Sequence, residues 1–285
     1  MVRIVTDSTS DIPEDLAKEL DIQIVPLRVI FGEEVLLDRI DISSDAFFER
    51  LKSSPTLPTT SQPPPADFLK VFEEAIREGD EVVCIVISSD LSGTYESAIR
   101  AKETLGDVPI TVIDSRITSM GLGLAVEEAA RMAKAGATRQ EIAQRIEKLL
   151  PKISVLFVVD TLEYLQKGGR IGGAQALVGT LLRIKPLLTL RGGRVDLLER
   201  VRTRRKAIDR MIEIAAQRAQ AAGCPHRVGV LHAQAPNEAE YIAQQARERL
   251  DCEHLLLSQI GPVLGTHVGP GTVGIAMMPM LPEEG

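Results

Sequence analysis

The chain has 285 residues, of which 44% are apolar and 26% charged, a balance typical of one large or two medium globular domains. Its formal net charge of −7 argues against general binding to nucleic acid or to an anionic membrane, although a local basic segment occurs late in the chain. Since no secretory signal begins the sequence and no apolar run approaches ~18 residues, we expect a cytoplasmic protein without stable membrane insertion.

The first elements predict a strand over residues 2–5, a polar turn over residues 6–11 and a helix that begins at Pro13. The turn carries hydroxyl and carboxylate groups that could hold a metal or a phosphate, but it lacks the glycines of phosphate-binding loops. A simple turn and helix cap fits the same residues equally well. Strands are predicted next over residues 22–31 and 35–37, followed by a helix capped by Ser43 or Ser44.

A segment with five prolines in eleven residues then runs from Pro55 to Pro65. Proline at this density excludes a helix interior and a central strand, so the segment should be stiff and extended. It contains Thr59, Thr60 and Ser61 but no charge, which favours a rigid loop that presents these hydroxyls. A plain connector or a ligand for a proline-binding module remains compatible with the same composition.

The unbroken apolar run over residues 82–87 predicts a central parallel strand that is covered on both faces. It ends at the polar residues 88–93, and a helix is predicted over residues 94–105. Ligands of open α/β sheets bind beyond the carboxyl ends of strands, where loop hydroxyls and the free N–H groups of a helix start converge. Ser92 and its neighbours are therefore the first candidate site, although these residues could also serve only as a turn and helix cap.

The remaining pattern predicts a second α/β domain. A strand over residues 110–113, a helix over 120–135 and a capping-box helix from Thr138, stopped by Pro151, complete an N-terminal α/β domain (1–152) with a mainly parallel sheet. The C-terminal α/β domain (153–285) should contain a helix over 174–183, a hairpin around Gly192 and Gly193, and a glycine-rich loop over 261–271. Its other elements are strands over 155–159, 227–232, 254–260 and 273–278 and helices over 203–222 and 236–250.

The three cysteines, Cys84, Cys224 and Cys252, are widely spaced and form no CxxC or metal-ligand pattern. We expect them to be reduced thiols, and we predict no metal site.

Eight short segments in order resemble the DegV family of bacterial fatty-acid-binding proteins. They are VTDS (5–8), TTSQP (59–63), LSGTY (91–95), IDS (113–115), TLEYL (161–165), GGRI (168–171), VRT (201–203) and HVGPG (267–271). The resemblance implies two α/β domains with a long-chain fatty acid in a tunnel between them, and no other cofactor. It also implies a non-enzymatic carrier: a separate ATP-dependent fatty acid kinase subunit phosphorylates the bound acid, and an acyltransferase uses the acyl phosphate for phospholipid synthesis.

The resemblance places the fatty-acid carboxylate at Thr60 and Ser92, with Ser61 and Gly93 beside them and His267 close by as a donor or a water-mediated contact. Hydroxyl donors suit this task, because a buried carboxylate needs hydrogen bonds and a neutral donor does not trap it in an ion pair. A solvated loop histidine is the alternative for His267. Six apolar residues are candidates for the tunnel lining or for ordinary core: Met120, Leu122, Leu162, Leu165, Leu181 and Leu264.

A different class of function is a serine hydrolase with Ser92 as nucleophile, His267 as base and Asp7 or Asp114 as orienting carboxylate. Against it, the sequence around Ser92 lacks the G-x-S-x-G elbow. A nucleotide-binding enzyme is less favoured still, because no P-loop or G-x-G-x-x-G follows a predicted strand.

A basic segment lies at the end of the predicted hairpin and the start of the next helix: Arg200, Arg202, Arg204, Arg205, Lys206 and Arg210. Cations at a helix N-terminus oppose the helix dipole, so this placement favours a docking surface for the kinase. Arg202 and Arg170 both fall in segments that match the family, and we assign them to that surface. A solvated basic helix face paired with acids such as Glu199 and Asp209 is the alternative.

Overall fold

The structure is a computed structural model that describes residues 1–177 and 184–282. Its strands are β1 (Val2–Asp7), β2 (Ile22–Val25), β3 (Arg28–Phe31), β4 (Glu34–Leu37), β5 (Thr59–Ser61), β6 (Glu81–Val86), β7 (Ile110–Asp114), β8 (Ser154–Val158), β9 (Lys185–Arg191), β10 (Arg194–Val201), β11 (His226–His232), β12 (Cys252–Gln259) and β13 (Val273–Pro279). Its α-helices are α1 (Glu14–Glu19), α2 (Ser44–Ser53), α3 (Pro65–Arg77), α4 (Thr94–Leu105), α5 (Met120–Lys134), α6 (Arg139–Leu149), α7 (Glu163–Lys167), α8 (Arg204–Ala222), α9 (Pro236–Arg249) and α10 (Pro262–Val268).

The first sheet is parallel throughout, in the order β2-β1-β6-β7. The apolar run of β6 is buried on both faces, as predicted. Cys84 and Val86 pack with Phe68 of α3 and Ala98 of α4, whereas Val83 and Ile85 point into the core on the other side. The mainly parallel sheet predicted for the N-terminal half is therefore confirmed.

The predicted single strand over residues 22–31 is wrong. It is divided into β2 and β3, which belong to different sheets, because Pro26 lies between them and has no N–H to continue the hydrogen-bond ladder. β3 instead forms a small antiparallel sheet in the order β4-β3-β5. The proline-rich segment supplies β5 at the edge of this sheet, where missing N–H groups are tolerated.

The second large sheet has six strands in the order β10-β9-β8-β13-β11-β12, and only the β11–β12 pair is parallel. Helices α8 and α9 cover one face. Helix α5 lies against β1 of the first sheet and against β11 and β13 of the second. Gly229 in β11 permits this approach, since a Cβ atom there would lie 2.7 Å from the Met120 Cβ.

The hairpin around Gly192 and Gly193 and the capping box of α6 are present as predicted. The predicted boundary after residue 152 falls between α6 and β8 and stays a prediction. Only a short 3-10 helix, Gly172–Leu177, is seen in the predicted helix over 174–183; the rest of it, including Leu181, lies outside the described residues. No helix in the described ranges is both long and apolar enough for a bilayer span.

The glycine-rich loop predicted over residues 261–271 is also wrong in part, because Pro262–Val268 forms helix α10. Pro262 stands in the first turn, where proline is favoured. Gly265 fits inside the helix because it faces the rings of Phe47 and Phe48, which leave no room for a side chain. The consequence is that His267 lies in the last turn of a packed helix rather than in a loop.

Candidate functional site

A narrow cavity is lined by residues from both halves of the chain; its volume is about 90 Å³, or about 860 Å³ when the open solvent space it adjoins is counted. Its walls are mainly apolar, with contributions from the loops after β2 and β6, the inner faces of β8 to β11, and α10. The apolar lining residues are Leu27, Ile87, Leu91, Val155, Phe157, Leu165, Leu190, Val195, Leu231, Ile260, Val263, Leu264 and Val268.

Polar side chains also reach this cavity, and four of them belong to the residues predicted at the carboxylate: Thr60, Ser61, Ser92 and His267. The Thr60 Oγ1 atom lies 2.8 Å from the His267 Nε2 atom, so the edge strand β5 and the helix α10 meet through this hydrogen bond. Ser61 lies next to Thr60 in the chain, and its role at the carboxylate stays a prediction. Gly93 is not among the lining residues, but it directly follows Ser92 at the start of α4.

His267 is neutral at physiological pH. Burial, together with the positive charge of Arg170, lowers the pKa of this histidine to about 4. A neutral ring carries one N–H. When that proton is on Nε2, His267 donates to Thr60 Oγ1, and the Thr60 hydroxyl is free to donate its own proton into the cavity. The Nδ1 atom is buried and has no hydrogen-bond partner in the described part of the chain.

Ser92 lies in the tight loop that joins β6 to α4. Its N–H donates to the Ser88 carbonyl at 3.1 Å, and its Oγ atom lies 2.8 Å from the Thr94 Oγ1. Helix α4 begins at Thr94; its N-cap Gly93 offers no side-chain acceptor, and the Thr94 N–H donates to the Ser92 Oγ atom at 3.3 Å. Hydroxyls and the positive end of a helix dipole therefore occur together here, which suits an anionic group.

Arg170 lines the cavity near His267 and is half-buried. Its Nε donates to the Leu91 carbonyl at 3.1 Å and its Nη1 to the Gly168 carbonyl at 2.6 Å. These bonds tie the loop that carries Ser92 to the C-terminal half of the chain. Arg170 thus shapes the cavity wall, and its role in docking stays a prediction.

The basic segment is divided by its contacts. Arg204 pairs with Glu238, Arg205 with Asp209, and Arg210 with both Glu199 and Glu213, so the paired helix face describes these three arginines better than a docking surface does. Three side chains of this segment are exposed and also have no ion pair in the described part of the chain: Arg200, Arg202 and Lys206. Arg202 does not line the cavity, and its role in docking stays a prediction.

Only some of the six candidate lining residues border the cavity. Leu165 and Leu264 line the cavity, whereas Met120, Leu122 and Leu162 are buried in the core without lining it. The residues missed include Val155 and Phe157 of β8. Both faces of β8 are apolar, so alternation alone gives no signal for the face that borders the cavity.

The hydrolase triad is not assembled. Ser92 hydrogen-bonds to Thr94, and His267 to Thr60 rather than to Ser92. Asp7 is buried and accepts hydrogen bonds from the backbone N–H groups of Thr9 and Ile87, while Asp114 accepts from Ser89. Within residues 1–177 and 184–282, no group of three or more His, Cys, Asp or Glu side chains could hold a metal ion.

The turn over residues 6–11 also serves the structure locally. Asp7 caps the 3-10 helix Ser8–Ser10, and burial raises the pKa of its carboxyl to about 6 despite these hydrogen bonds. Asp11 is paired with Arg39 at 2.8 Å. The turn-and-cap interpretation therefore fits better than a metal or phosphate site.

Comparison with known proteins gives consistent matches along the whole chain. Residues 1–280 match the family described as "Uncharacterised protein, DegV family". A DegV domain-containing protein of Clostridium perfringens is 40% identical over 279 residues, which cover 96% of this chain and 98% of that protein.

Solved structures agree with the sequence match. One from Thermus thermophilus, described as "Fatty Acid Binding of a DegV family Protein", has a TM-score of 0.93 and 36% identity and covers 98% of this chain and 99% of that one. Another from Eubacterium ventriosum, described as a stearic acid-binding protein, has a TM-score of 0.90 and 28% identity and covers 98% of each chain.

Proposed function

The chain belongs to the DegV family, and on that basis we propose that it binds a long-chain fatty acid in the cavity between its two halves. The observation that carries this proposal is the Thr60–His267 pair at the wall of a cavity that is otherwise mainly apolar. Such a cavity fits an amphiphile with one small polar end. Related structures described as fatty acid binding support the same ligand class.

The alkyl chain supplies most of the binding energy. Burying ~14 methylenes at about 0.8 kcal/mol each gives roughly 11 kcal/mol before the costs of association and ordering. Affinity therefore does not require a charged partner for the head group. The protein can use its polar residues to orient the carboxylate.

The carboxylate is held by neutral donors in this proposal. Thr60 and Ser92 donate their hydroxyl protons, and His267 orients Thr60 through its Nε2 atom. Because the low pKa of His267 keeps the ring neutral, the head group does not form a close ion pair with it. Hydrogen bonds of this kind hold the acid while leaving its oxygens reactive toward a phosphoryl donor.

We further propose that the protein is a cytoplasmic carrier. It presents the carboxyl group to a separate ATP-dependent fatty acid kinase, and the resulting acyl phosphate passes to an acyltransferase for phospholipid synthesis. Thr60 and Ser92 are half-buried, and the neighbouring Gln62, which also lines the cavity, is exposed, so this end of the cavity is near the surface. That position allows a second protein to reach the carboxyl group.

The test of binding is the identity of the lipid that co-purifies from cells, measured by native mass spectrometry and by analysis of the extracted ligand. We expect a fatty acid of about 16 to 18 carbons, because that length provides the buried methylenes counted above. Protein that carries no lipid and does not take up added stearate would refute the proposal.

The test of presentation is the charge reversal Arg202→Glu, with Arg247→Glu on the exposed face of α9 as the matched control. Arginine suits bidentate contact with acidic groups of a partner. The Arg202 variant should slow phosphorylation of the bound acid by the kinase, most strongly at low salt, and leave lipid occupancy unchanged. Unaltered transfer kinetics across a salt titration would remove Arg202 from the interface.

A further inference from the structure

A second concave surface lies beyond the fatty-acid cavity, at the end of the six-stranded sheet. It is a groove of about 490 Å³, bordered by the start of β8, the end of β9 and the end of α8. The side chain of Leu190 borders both the groove and the fatty-acid cavity, but the two are otherwise lined by different residues. We refer to it as the basic groove, after Lys152, Arg191, Arg218 and His226 in its lining.

No aspartate or glutamate lines the basic groove within the described residues. This is notable in a chain whose net charge is −7. Arg191 is paired with Asp196 at 2.7 Å, but Lys152 is exposed and has no ion pair in the described part of the chain. The groove therefore concentrates positive charge on a protein that is acidic overall.

Arg218 is the central residue of this argument. It is half-buried and donates to the Ser154 hydroxyl, and no carboxylate lies within 4.0 Å of it among the described residues. By contrast, the half-buried Arg145 and Arg227 both pair with Glu128. Burial and the neighbouring charge of Arg191 lower the pKa of Arg218. Desolvating a guanidinium without a counter-charge is unfavourable, and a bound anion would offset that cost.

His226 provides an independent indication of a ligand. The residue is only 3% exposed, and its Nδ1 atom is buried and makes no hydrogen bond of ordinary geometry in the described ranges. Burial lowers the pKa of this histidine, and a contact with the Cys224 backbone partly offsets that shift. Buried polar atoms are normally satisfied by protein, water or ligand, so an unpaired nitrogen at the wall of a basic groove indicates a polar occupant.

We propose that the basic groove binds the phosphate group of a small, water-soluble phosphate monoester. A phosphate presents three acceptor oxygens, which match the planar fork of Arg218, the ammonium group of Lys152 and a nitrogen of His226. Ile153, Met277 and Leu281 add apolar surface to the groove for the organic part of the molecule. Because Arg218 and His226 are recessed, a single small molecule can reach them, whereas the flat surface of a bilayer cannot.

The test is isothermal titration calorimetry of the lipid-loaded protein with glycerol 3-phosphate and with inorganic phosphate, at constant ionic strength. We expect saturable binding that Arg218→Gln weakens at least tenfold, since a charge-assisted bidentate contact is lost. Arg247→Gln on α9 removes an exposed arginine outside the groove and should bind as the wild type does. Lys152→Gln, at an exposed position, provides a second variant in case Arg218→Gln lowers the melting temperature.

Three results would overturn the proposal. They are the absence of saturable binding to the wild-type protein, equal affinity in the groove variants and in Arg247→Gln, and binding only to phosphatidylglycerol vesicles in a sedimentation assay. The last result would assign the positive charge to a lipid surface instead. Lipid occupancy should be the same in every variant, so failure of this proposal is distinguishable from failure of fatty-acid binding.

Discussion

Thr60→Val tests the head-group site most directly, because it keeps the shape of the side chain and removes only the hydroxyl. Two interactions are lost. The carboxylate loses a neutral donor, which is worth about 1.5 to 3 kcal/mol for a charged acceptor, or roughly 10- to 150-fold in Kd. His267 also loses the partner of its Nε2 atom. Since its Nδ1 atom is already unpaired, we expect the free energy of unfolding to fall by about 1 to 3 kcal/mol.

The binding assay measures the Kd of stearate and of its methyl ester by displacement of a fluorescent fatty acid. Urea unfolding of the lipid-free protein measures the free energy of unfolding separately. Stearate binding should weaken by the factor given above, whereas the ester, which carries no charge, should be affected much less. Thr59→Val is the matched control: it lies on the same strand, is exposed and does not line the cavity. Ser92→Ala should show the same selectivity for the acid.

Equal losses for stearate and for the ester would refute the reasoning, because they would show that the variant alters the cavity and not the carboxylate contact. Unchanged stearate binding would remove Thr60 from the head-group site. A Thr59→Val variant that behaves like Thr60→Val would show that the strand, rather than the hydroxyl, is responsible.

Three further predictions concern stability. The pKa of His267 is about 4 in the folded protein instead of 6.5, so the free energy of unfolding should fall by about 3 kcal/mol as pH drops from 6.5 to 4. His267→Gln should lack this loss when urea unfolding is measured at each pH. The same pH dependence in the wild type and in the variant would contradict the assignment. Burial raises the pKa of Asp38 to about 7, so its stabilising contribution is present at low pH and lost as pH rises from about 4 to 7. Asp38→Asn should remove that loss. If the free energy of unfolding of the variant falls with pH above 5 as steeply as that of the wild type, Asp38 is not the group responsible. Gly265→Ala should lower the free energy of unfolding by about 1 to 3 kcal/mol, because a Cβ atom there would lie 2.8 Å from ring atoms of Phe47 and Phe48. This overpacking exceeds the gain of about 1 kcal/mol that alanine offers over glycine inside a helix. A raised melting temperature would show that the rings can move.

Local signals predicted much of the fold. The buried strand β6, the capping box at Thr138 and Glu141 and the turn at Gly192 and Gly193 are each encoded within a few residues, and all three are present. The errors have local causes as well. Pro26 interrupts an otherwise mainly apolar segment, and the glycines around residues 261–271 conceal the short helix α10.

The site was less accessible to sequence reasoning. Thr60 and His267 are 207 positions apart, and no periodicity relates them, so only the family resemblance suggested that they meet. The structure brings them together, and their role at the carboxylate stays a prediction. Cavity-lining residues such as Phe157 could not be selected, because Leu156 and Val158 on the other face of the same strand are equally apolar.

The 207-residue separation of Thr60 and His267 also has a consequence for biosynthesis. At ~5–20 residues per second, a ribosome takes about 10 to 40 s to travel from one codon to the other. During that interval the N-terminal sheet can form and the strands β8 to β11 are synthesised, but α10 is not complete until its end. A nascent chain therefore exposes half of an apolar binding surface without being able to retain a lipid on it. Ligand loading therefore follows the synthesis of α10, and until then the exposed apolar lining is prone to aggregation.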